Sequence, residues 1–314
     1  MTMTPKKLSV IIPVFNEEKN IPRVYARVLA VLGKLPYEKE IIFIDDGSTD
    51  GSVREIGALA QKDSRVKSVE FSRNFGKEIA TTAGIHNASG DAIVLIDADL
   101  QHPPEIISEF VNEWEKGAEV VIGVRKKNKN EGAVKKIGSV LFYALMKRIG
   151  DKETPITPGS TDFRLIDRKV AEEFKRFTEH DRMTRGLLDW LGFRRAFVFF
   201  DADERTEGKA GYGTTKLFHL AFSAIRSHSL FPLRVASWLG GIISLVSVGL
   251  ACYVFAAIYF YHDTFDSAAM LAVMIMFLVG IVLVCLGFMA SYIGAILKEG
   301  QNRPMYVIRE RKNF

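Results

Sequence analysis

Residues 94–101, Val-Leu-Ile-Asp-Ala-Asp-Leu-Gln, constrain the fold more than any other stretch of this chain. A short unbroken apolar run suits a central strand of a parallel sheet, because helices cover both of its faces. The run ends in Asp97 and Asp99, and open α/β sheets bind ligands beyond the carboxyl ends of their strands. Side chains repeat every second residue in an extended chain, so the two acids leave on one side. Gln101 joins them if the extension continues. Two carboxylates and an amide oxygen suit a divalent Mg²⁺ or Mn²⁺ that also holds phosphate oxygens. Read in isolation, each acid could equally cap the next turn.

The same design recurs upstream. Residues 8–14 predict a strand, after which Asn16 opens a helix with Glu17 and Glu18 in its first turn. Residues 40–44 predict a second strand, followed by the turn-rich loop Asp45-Asp46-Gly47-Ser48-Thr49-Asp50-Gly51-Ser52. Strands are expected at 66–71, 92–96 and 119–123. Between them, 76–87 reads as a helix and Pro103-Pro104 starts another. This alternation predicts a doubly wound, mostly parallel α/β sheet. Further on, 165–177 and 184–191 read as helices and 196–200 as a strand. Three acidic strand ends would crowd negative charge into one crevice, which is costly unless a cation or a base with N–H donors enters it.

The net charge of +5 and pI near 9.0 fit an anionic substrate or a membrane surface. No basic, aromatic-interleaved module appears, so nucleic acid is not expected as a partner. Cys252 and Cys285 form neither a disulfide framework nor a zinc spacing. Residues 235–261 and 267–297 carry no charged side chain, and each exceeds the roughly 20 residues that cross a bilayer. The link 262–266 has no Lys or Arg. Arg226 and Arg234 flank the first stretch, and Lys298, Arg303, Arg309, Arg311 and Lys312 follow the second. The positive-inside rule then puts both the N-terminal domain and the tail in the cytoplasm. The expected organisation is a cytoplasmic catalytic domain (1–212), a juxtamembrane amphipathic helix (213–232), membrane spans at 233–261 and 267–297, and a cytoplasmic tail (298–314). Gly240, Gly241, Ser244 and Ser247 give one small-residue face, and Gly280, Gly287 and Gly294 another. Such faces serve packing within one chain or in a homo-oligomer.

Taken in order, Val10-Ile11-Ile12-Pro13-Val14-Phe15-Asn16-Glu17, Asp45 to Ser52 and Asp97-Ala98-Asp99-Leu100-Gln101-His102-Pro103-Pro104 resemble family-2 glycosyltransferases of the GT-A fold. Ser72-Arg73-Asn74-Phe75-Gly76-Lys77-Glu78 narrows the resemblance to the dolichyl-phosphate mannosyltransferase and bactoprenol glucosyltransferase branch. Gly159 to Leu165 and Gly213-Thr214-Thr215-Lys216-Leu217 agree with that branch. The resemblance implies a donor site for a nucleotide sugar formed by Pro13, Phe15, Asn16, Glu17, Asp45, Asp46, Lys77, Asp97, Ala98 and Asp99. Within it, Glu17 and Asp46 would accept hydrogen bonds from base or ribose. Asp97, Asp99 and Gln101 match the metal and diphosphate site. The acceptor implied is a polyprenyl phosphate. Arg125 matches the arginine that holds its phosphate, with Lys135, Lys136, Ser139, Arg205, Thr215 and Lys216 as further acceptor-side residues. Asp162 lies close to sugar and acceptor in the resembling enzymes and, with Asp99 and Arg125, completes the expected catalytic set.

A phosphate monoester is already anionic at neutral pH, its second pKa being about 6, so no strong general base is required. Attack in line with the leaving group inverts the anomeric carbon, and no further acid sits in a nucleophile motif that would favour retention. A processive polysaccharide synthase would carry Q-x-x-R-W and a longer membrane channel, and this sequence has neither. A membrane-anchored nucleotide-sugar scaffold is the non-enzyme alternative, and the intact metal and acceptor motifs argue against it. The donor expected first is UDP-glucose, with GDP-mannose as the alternative.

Overall fold

The computed structural model describes residues 6–126, 159–179, 182–201 and 267–314, together with Gly249, Cys252 and Tyr259. Two compact units divide the chain. The first comprises Met1–Arg148, Lys152–Gly211 and Pro304–Phe314. The second comprises Ile149–Asp151 and Tyr212–Arg303.

The first unit is built on one sheet of eight strands. They are β1 (Lys7–Val14), β2 (Glu38–Asp45), β3 (Val66–Phe71), β4 (Ala92–Leu95), β5 (Val120–Arg125), β6 (Ser160–Asp167), β7 (Arg195–Phe200) and β8 (Ile308–Lys312). Their order is β7-β5-β6-β4-β1-β2-β3-β8. β1 pairs in parallel with β2 and β4, β2 with β3, and β5 with β7. β6 runs antiparallel between β4 and β5, and β8 runs antiparallel along β3. The described helices of this unit are α1 (Ile21–Leu32), α2 (Ser52–Lys62), α3 (Lys77–Asn87), α4 (Ile107–Glu115), α5 (Arg168–Phe174) and α6 (Thr184–Trp190), with a 3₁₀ turn at Pro104–Ile106.

Two-residue periodicity divides the core. Val10, Ile12 and Val14 of β1, with Ile41 and Phe43 of β2, pack on the face that also buries Val24 of α1 and Phe110 of α4. Ile11, Ile42 and Ile44 point the other way, into a core with Ala80 and Ala83 of α3 and Phe174 of α5. Alternation within an apolar run is how a sheet covered on both faces is made. Gly84 lets α3 lie directly on β1, since a Cβ there would collide with Ile11.

The doubly wound sheet agrees with the expectation, and three local readings are corrected. Residues 165–167 are strand: β6 ends at Asp167, and the helix begins only at Arg168. Asn16 does not open a helix. It takes a left-handed conformation (φ 56°), and α1 starts at Ile21 with Pro22 in its first turn. The tail 298–314 contains a strand, β8, that joins the sheet of the first unit.

In the second unit α7 (Ser267–Gly300) runs for 34 residues. Among the described residues no helix is long and apolar enough to cross a membrane. The expected second span, 267–297, falls on α7, where only part of the side chains are described, so its apolar length is a property of the sequence. The expected juxtamembrane helix (213–232) lies outside the described residues. So does the expected first span (233–261), apart from Gly249, Cys252 and Tyr259, which are helical.

Candidate active site

The carboxyl ends of β1, β2, β4 and β5 share one edge of the sheet. β6 runs the other way, so its first residues reach that same edge.

At the end of β1, Pro13 is half-buried and Phe15 is exposed. The left-handed turn at Asn16 ties this loop to the one after β2. Asn16 N–H donates to Ser48 Oγ at 3.0 Å, and Asn16 Oδ1 accepts from Thr49 N–H at 2.8 Å. Glu17 N–H donates to Ser52 Oγ at 2.9 Å, and Glu17 Oε2 accepts from Asn20 Nδ2 at 2.6 Å.

Asp45 and Asp46 are buried, at 2% and 3% exposure. Asp45 Oδ2 accepts the N–H groups of Gly47 and Ser48 at 3.1 and 3.0 Å. Asp46 accepts those of Phe75 at 2.7 Å and Gly76 at 2.9 Å. Burial pushes both carboxyls above the usual range, against the opposing pull of these donors. The Asp46 oxygens thus hold the 72–76 loop in place. Gly47 (φ 70°) lets that loop approach, because a Cβ there would stand 2.5 Å from the Arg73 carbonyl carbon. Arg73 itself is exposed and stacks on Phe75, 4.3 Å from the ring centre.

The Asp45-Asp46 loop therefore positions Lys77, the first residue of α3. Its ammonium stands 2.7 Å from Asp97 Oδ1 and 3.0 Å from Asp162 Oδ2. Burial works against the charge, but the two acids outweigh it and hold Lys77 above the ordinary lysine range. Asp162 is held low in turn: burial opposes, while Lys77, Arg185 and Arg164 lower it. It is thus a firm carboxylate at neutral pH and a weak base.

Beyond β4 the extension does not continue, which corrects the geometry expected for Gln101. The chain turns at Ala98-Asp99, and Leu100 is buried with φ 60°. A left-handed conformation is costly for a branched side chain and persists where the surroundings impose it, often at a functional loop. Asp99 Oδ1 accepts from Gln101 N–H at 3.1 Å, so this acid does shape the turn. His102 stacks on Phe163 at 5.1 Å between ring centres. Its buried Nδ1 has no hydrogen-bond partner and faces Asp97 Oδ2 at 3.7 Å.

A cation fits this loop, since Asp97 already draws the Lys77 ammonium to within contact. Among the described residues no cluster of three or more His, Cys, Asp or Glu is poised to hold a metal alone. Asp97 and Asp99 offer carboxylates at this loop, and a cation there would need further oxygens from a ligand or water.

On the other flank, Arg125 is exposed at the end of β5, and its N–H donates to the Gly159 carbonyl at 3.0 Å, next to the start of β6. Lys126 pairs with Asp201 at 3.1 Å. Lys135, Lys136, Ser139, Arg205, Thr215 and Lys216 lie outside the described residues. Arg164 does not pair with Asp162. It is fully buried, with Nη1 2.8 Å from Asp189 Oδ1 and Nε donating to the Thr161 carbonyl at 3.1 Å. Sequence reasoning missed Arg185, which lines the cleft beside Asp162 from α6. Nothing in its local sequence distinguishes it from a surface helix residue.

The family described as Glycosyl transferase family 2 matches residues 9–174. A Synechocystis protein named uncharacterized glycosyltransferase sll0501 is 40% identical over 304 residues, covering 97% of this chain and 95% of its own. The bactoprenol glucosyl transferase of Shigella phage SfV is 37% identical over 306 residues, covering 98% of this chain and 99% of that one. Among solved structures, mannosyl-3-phosphoglycerate synthase from Rubrobacter xylanophilus aligns with a TM-score of 0.53 at 16% identity, over 70% of this chain and 72% of that one. That last likeness concerns the fold alone, and it agrees with the GT-A architecture expected from the motifs.

Proposed function

The chain belongs to glycosyl transferase family 2, and from that premise we propose that it moves a hexose from a nucleotide sugar to the phosphate of a polyprenyl phosphate, inverting the anomeric carbon. The observation that carries this reading is the pair of acids, Asp97 and Asp162, facing one cleft with a cation between them. A site of this kind accepts a diphosphate together with a metal, and an anionic nucleophile together with its own basic partners.

On this reading Phe15 offers the nucleobase an apolar face at the mouth of the site. Asp97, Asp99 and Gln101 hold Mg²⁺ or Mn²⁺, which supplies the positive charge that steadies the departing nucleoside diphosphate. Lys77 keeps Asp97 and Asp162 at a fixed separation. Asp162 orients the sugar or the incoming phosphate through hydrogen bonds, because an acid held this low accepts protons poorly. The acceptor oxygen needs no base, being anionic near pH 7. Arg125 meets the acceptor phosphate, with Lys136, Ser139, Arg205, Thr215 and Lys216 as proposed partners. UDP-glucose is the donor favoured by the full-length likeness to a bactoprenol glucosyl transferase, and GDP-mannose is the second choice.

The proposed setting is the cytoplasmic face of a membrane, with spans at 233–261 and 267–297. Three observations support it. Both stretches lack charged residues. Leu271, Ile275, Val282, Leu286, Met289, Ile293 and Leu297 are exposed along α7, an apolar surface that water does not favour. β8, which follows α7, pairs with β3, so the chain ends on the side where its first unit lies. An even number of crossings meets that condition.

The test is transfer by the purified full-length chain, given radiolabelled UDP-glucose or GDP-mannose, undecaprenyl phosphate and Mg²⁺ or Mn²⁺. The expected product is a labelled, organic-extractable lipid from UDP-glucose. Failure to label the lipid from any nucleotide sugar, or equal transfer to undecaprenol, overturns the reading.

A further inference from the structure

Beside Asp162 lies an open cleft lined among others by Pro13, Lys77, Asp97, Asp162, Arg164 and Arg185. Three of these six residues are cations, and two are already engaged. Lys77 bridges both acids. Arg164 is fully buried against Asp189.

Arg185 is different. It is half-buried, its Nε faces the Met183 sulfur at 3.4 Å, and among the described residues no carboxylate lies within ion-pair distance of it. It lines the same cleft as Asp162, and its charge helps to hold that carboxyl low. Its backbone is nonetheless fixed from two sides. The N–H of the preceding Thr184 donates to Glu78 Oε2 at 2.7 Å, and the Arg185 carbonyl accepts from Arg164 Nη1 at 3.4 Å. The buried pair of Arg164 with Asp189 thus ties β6 to α6 and sets the root of Arg185. A guanidinium with a fixed root, terminal nitrogens unpaired among the described residues and an open cleft beside it suits a phosphate, whose oxygens match its planar fork.

We propose that Arg185 is a binding residue for the phosphate of the acceptor. The proposal rests on the function given above and adds a residue that neither the motifs nor the comparisons assign. Its side of the cleft decides which phosphate it meets. Lys77 separates Asp162 from the Asp97–Asp99 loop, where the departing diphosphate belongs. An in-line displacement brings the nucleophile in opposite the leaving group. A cation on the Asp162 side therefore faces the incoming phosphate monoester.

The experiment uses the full-length protein carrying Arg185→Ala or Arg185→Lys. Undecaprenyl phosphate kinetics are compared with calorimetric affinity for UDP in the presence of Mg²⁺. Arg185→Ala should raise the acceptor KM roughly tenfold to a hundredfold, the loss expected for a charge-assisted contact, and should leave UDP affinity within about twofold. Arg185→Lys should recover part of the loss. The melting temperature should stay close to wild type, because the contact to Arg164 is made by the main chain. An unchanged acceptor KM overturns the proposal. So does a loss of UDP affinity at unchanged acceptor KM, which would assign the arginine to the donor diphosphate. If wild-type protein labels no lipid at all, the function itself falls, and Arg185 falls with it.

Discussion

β4 and β6 lie side by side, run in opposite directions, and each brings an acid to the same cleft. In β4 the strand is apolar from Ala92 to Leu95, and Asp97 follows two residues beyond its end. In β6 the acid lies inside the strand. Ser160, Thr161 and Asp162 are its half-buried start, and burial begins at Phe163. The parallel strand delivers chemistry after its hydrophobic work is done, whereas the antiparallel strand must deliver it first. The two acids consequently differ in surroundings. Asp97 sits in a loop with a left-handed residue at Leu100, and Asp162 sits within a strand, at a register shift between β5 and β6 and close to the buried Arg164. A flexible ligand set suits a metal, and a rigid one suits orientation of a substrate.

If that division of labour holds, removing the acid after β4 has the largest effect. Asp97→Asn should lower transfer about a thousandfold, the several kcal/mol expected when a metal's charge is lost from the leaving group. Excess chelator should reduce the wild type similarly, and Mn²⁺ or Mg²⁺ should restore it. Circular dichroism should stay unchanged, since Asp97 is a partly exposed loop residue. Full wild-type turnover in chelator would remove the metal from the account.

The far ends of the same strands sharpen the contrast through stability. Glu40, 1% exposed, holds the start of β4 by accepting from Ser89 N–H at 2.6 Å and from Ser89 Oγ at 2.8 Å. It also pairs with Lys7 at 3.0 Å and Lys67 at 2.9 Å. Burial alone would raise its pKa, but Lys67, Ser9, Ser89 and Lys7 together bring it down to about 2. A folded-state pKa depressed from the ordinary 4.5 gives stability that is complete above pH 4.5 and is lost as pH falls through 2. The contribution is about 3 kcal/mol at neutral pH. Glu40→Gln should therefore lower the melting temperature at pH 7 by several degrees, and the gap to wild type should close as the pH approaches 2. A gap independent of pH would mean that shape, not charge, does the work there.

The contrast between β4 and β6 also explains what was legible in the sequence. β1, β2, β4 and β5 were readable because each contains an apolar run, and acids follow or close β1, β2 and β4. β6 was half misread: Thr-Asp-Phe-Arg-Leu-Ile-Asp carries an arginine at a fully buried position, which no local rule favours and which only Asp189, 25 residues on, makes tolerable. β8, Ile-Arg-Glu-Arg-Lys, has no apolar pattern at all. It is an edge strand whose partner lies more than 230 residues away, and Tyr306 stacking on Phe71 at 5.1 Å helps seat it. Asp46 was identified as a site residue by motif, but its inward orientation depends on the approach of the 72–76 loop. Motif spacing finds which residues gather at a site, whereas which way they face is decided by contacts distant in sequence.

On β6, Asp162→Asn tests orientation against proton transfer. An orienting carboxylate that loses its charge should lower kcat roughly tenfold to a hundredfold and leave UDP affinity little changed. The wild-type rate should be flat from pH 7 to 8, because Asp162 stays ionised far below that window. A rate limb near pH 7 that vanishes in the variant would make Asp162 a general base, and the reading of β6 as a rigid orienting strand would break.

The smallest effect belongs at the end of β6 away from the site. Asp167 caps α5, its Oδ1 accepting from Lys169 N–H at 2.9 Å, while its Oδ2 accepts from Trp114 Nε1 at 2.7 Å. β6 is thus anchored at this end by hydrogen bonds from neutral N–H donors, where β4 is anchored by a buried charge cluster. Asp167→Ala removes the cap and leaves the largely buried indole N–H without its acceptor, so a loss of about 1–2 kcal/mol follows. Asp167→Asn keeps an oxygen for the cap and should cost less than half of that. Neither change should alter transfer per folded molecule, because Asp162 lies five residues along a strand whose residues 164–166 are paired with β4 and β5 on both sides. Melting curves and specific activity of the two variants together decide the point. A drop in activity at unchanged melting temperature would show that β6 can slide, and that the rigidity assigned to it against the strained turn after β4 is not there.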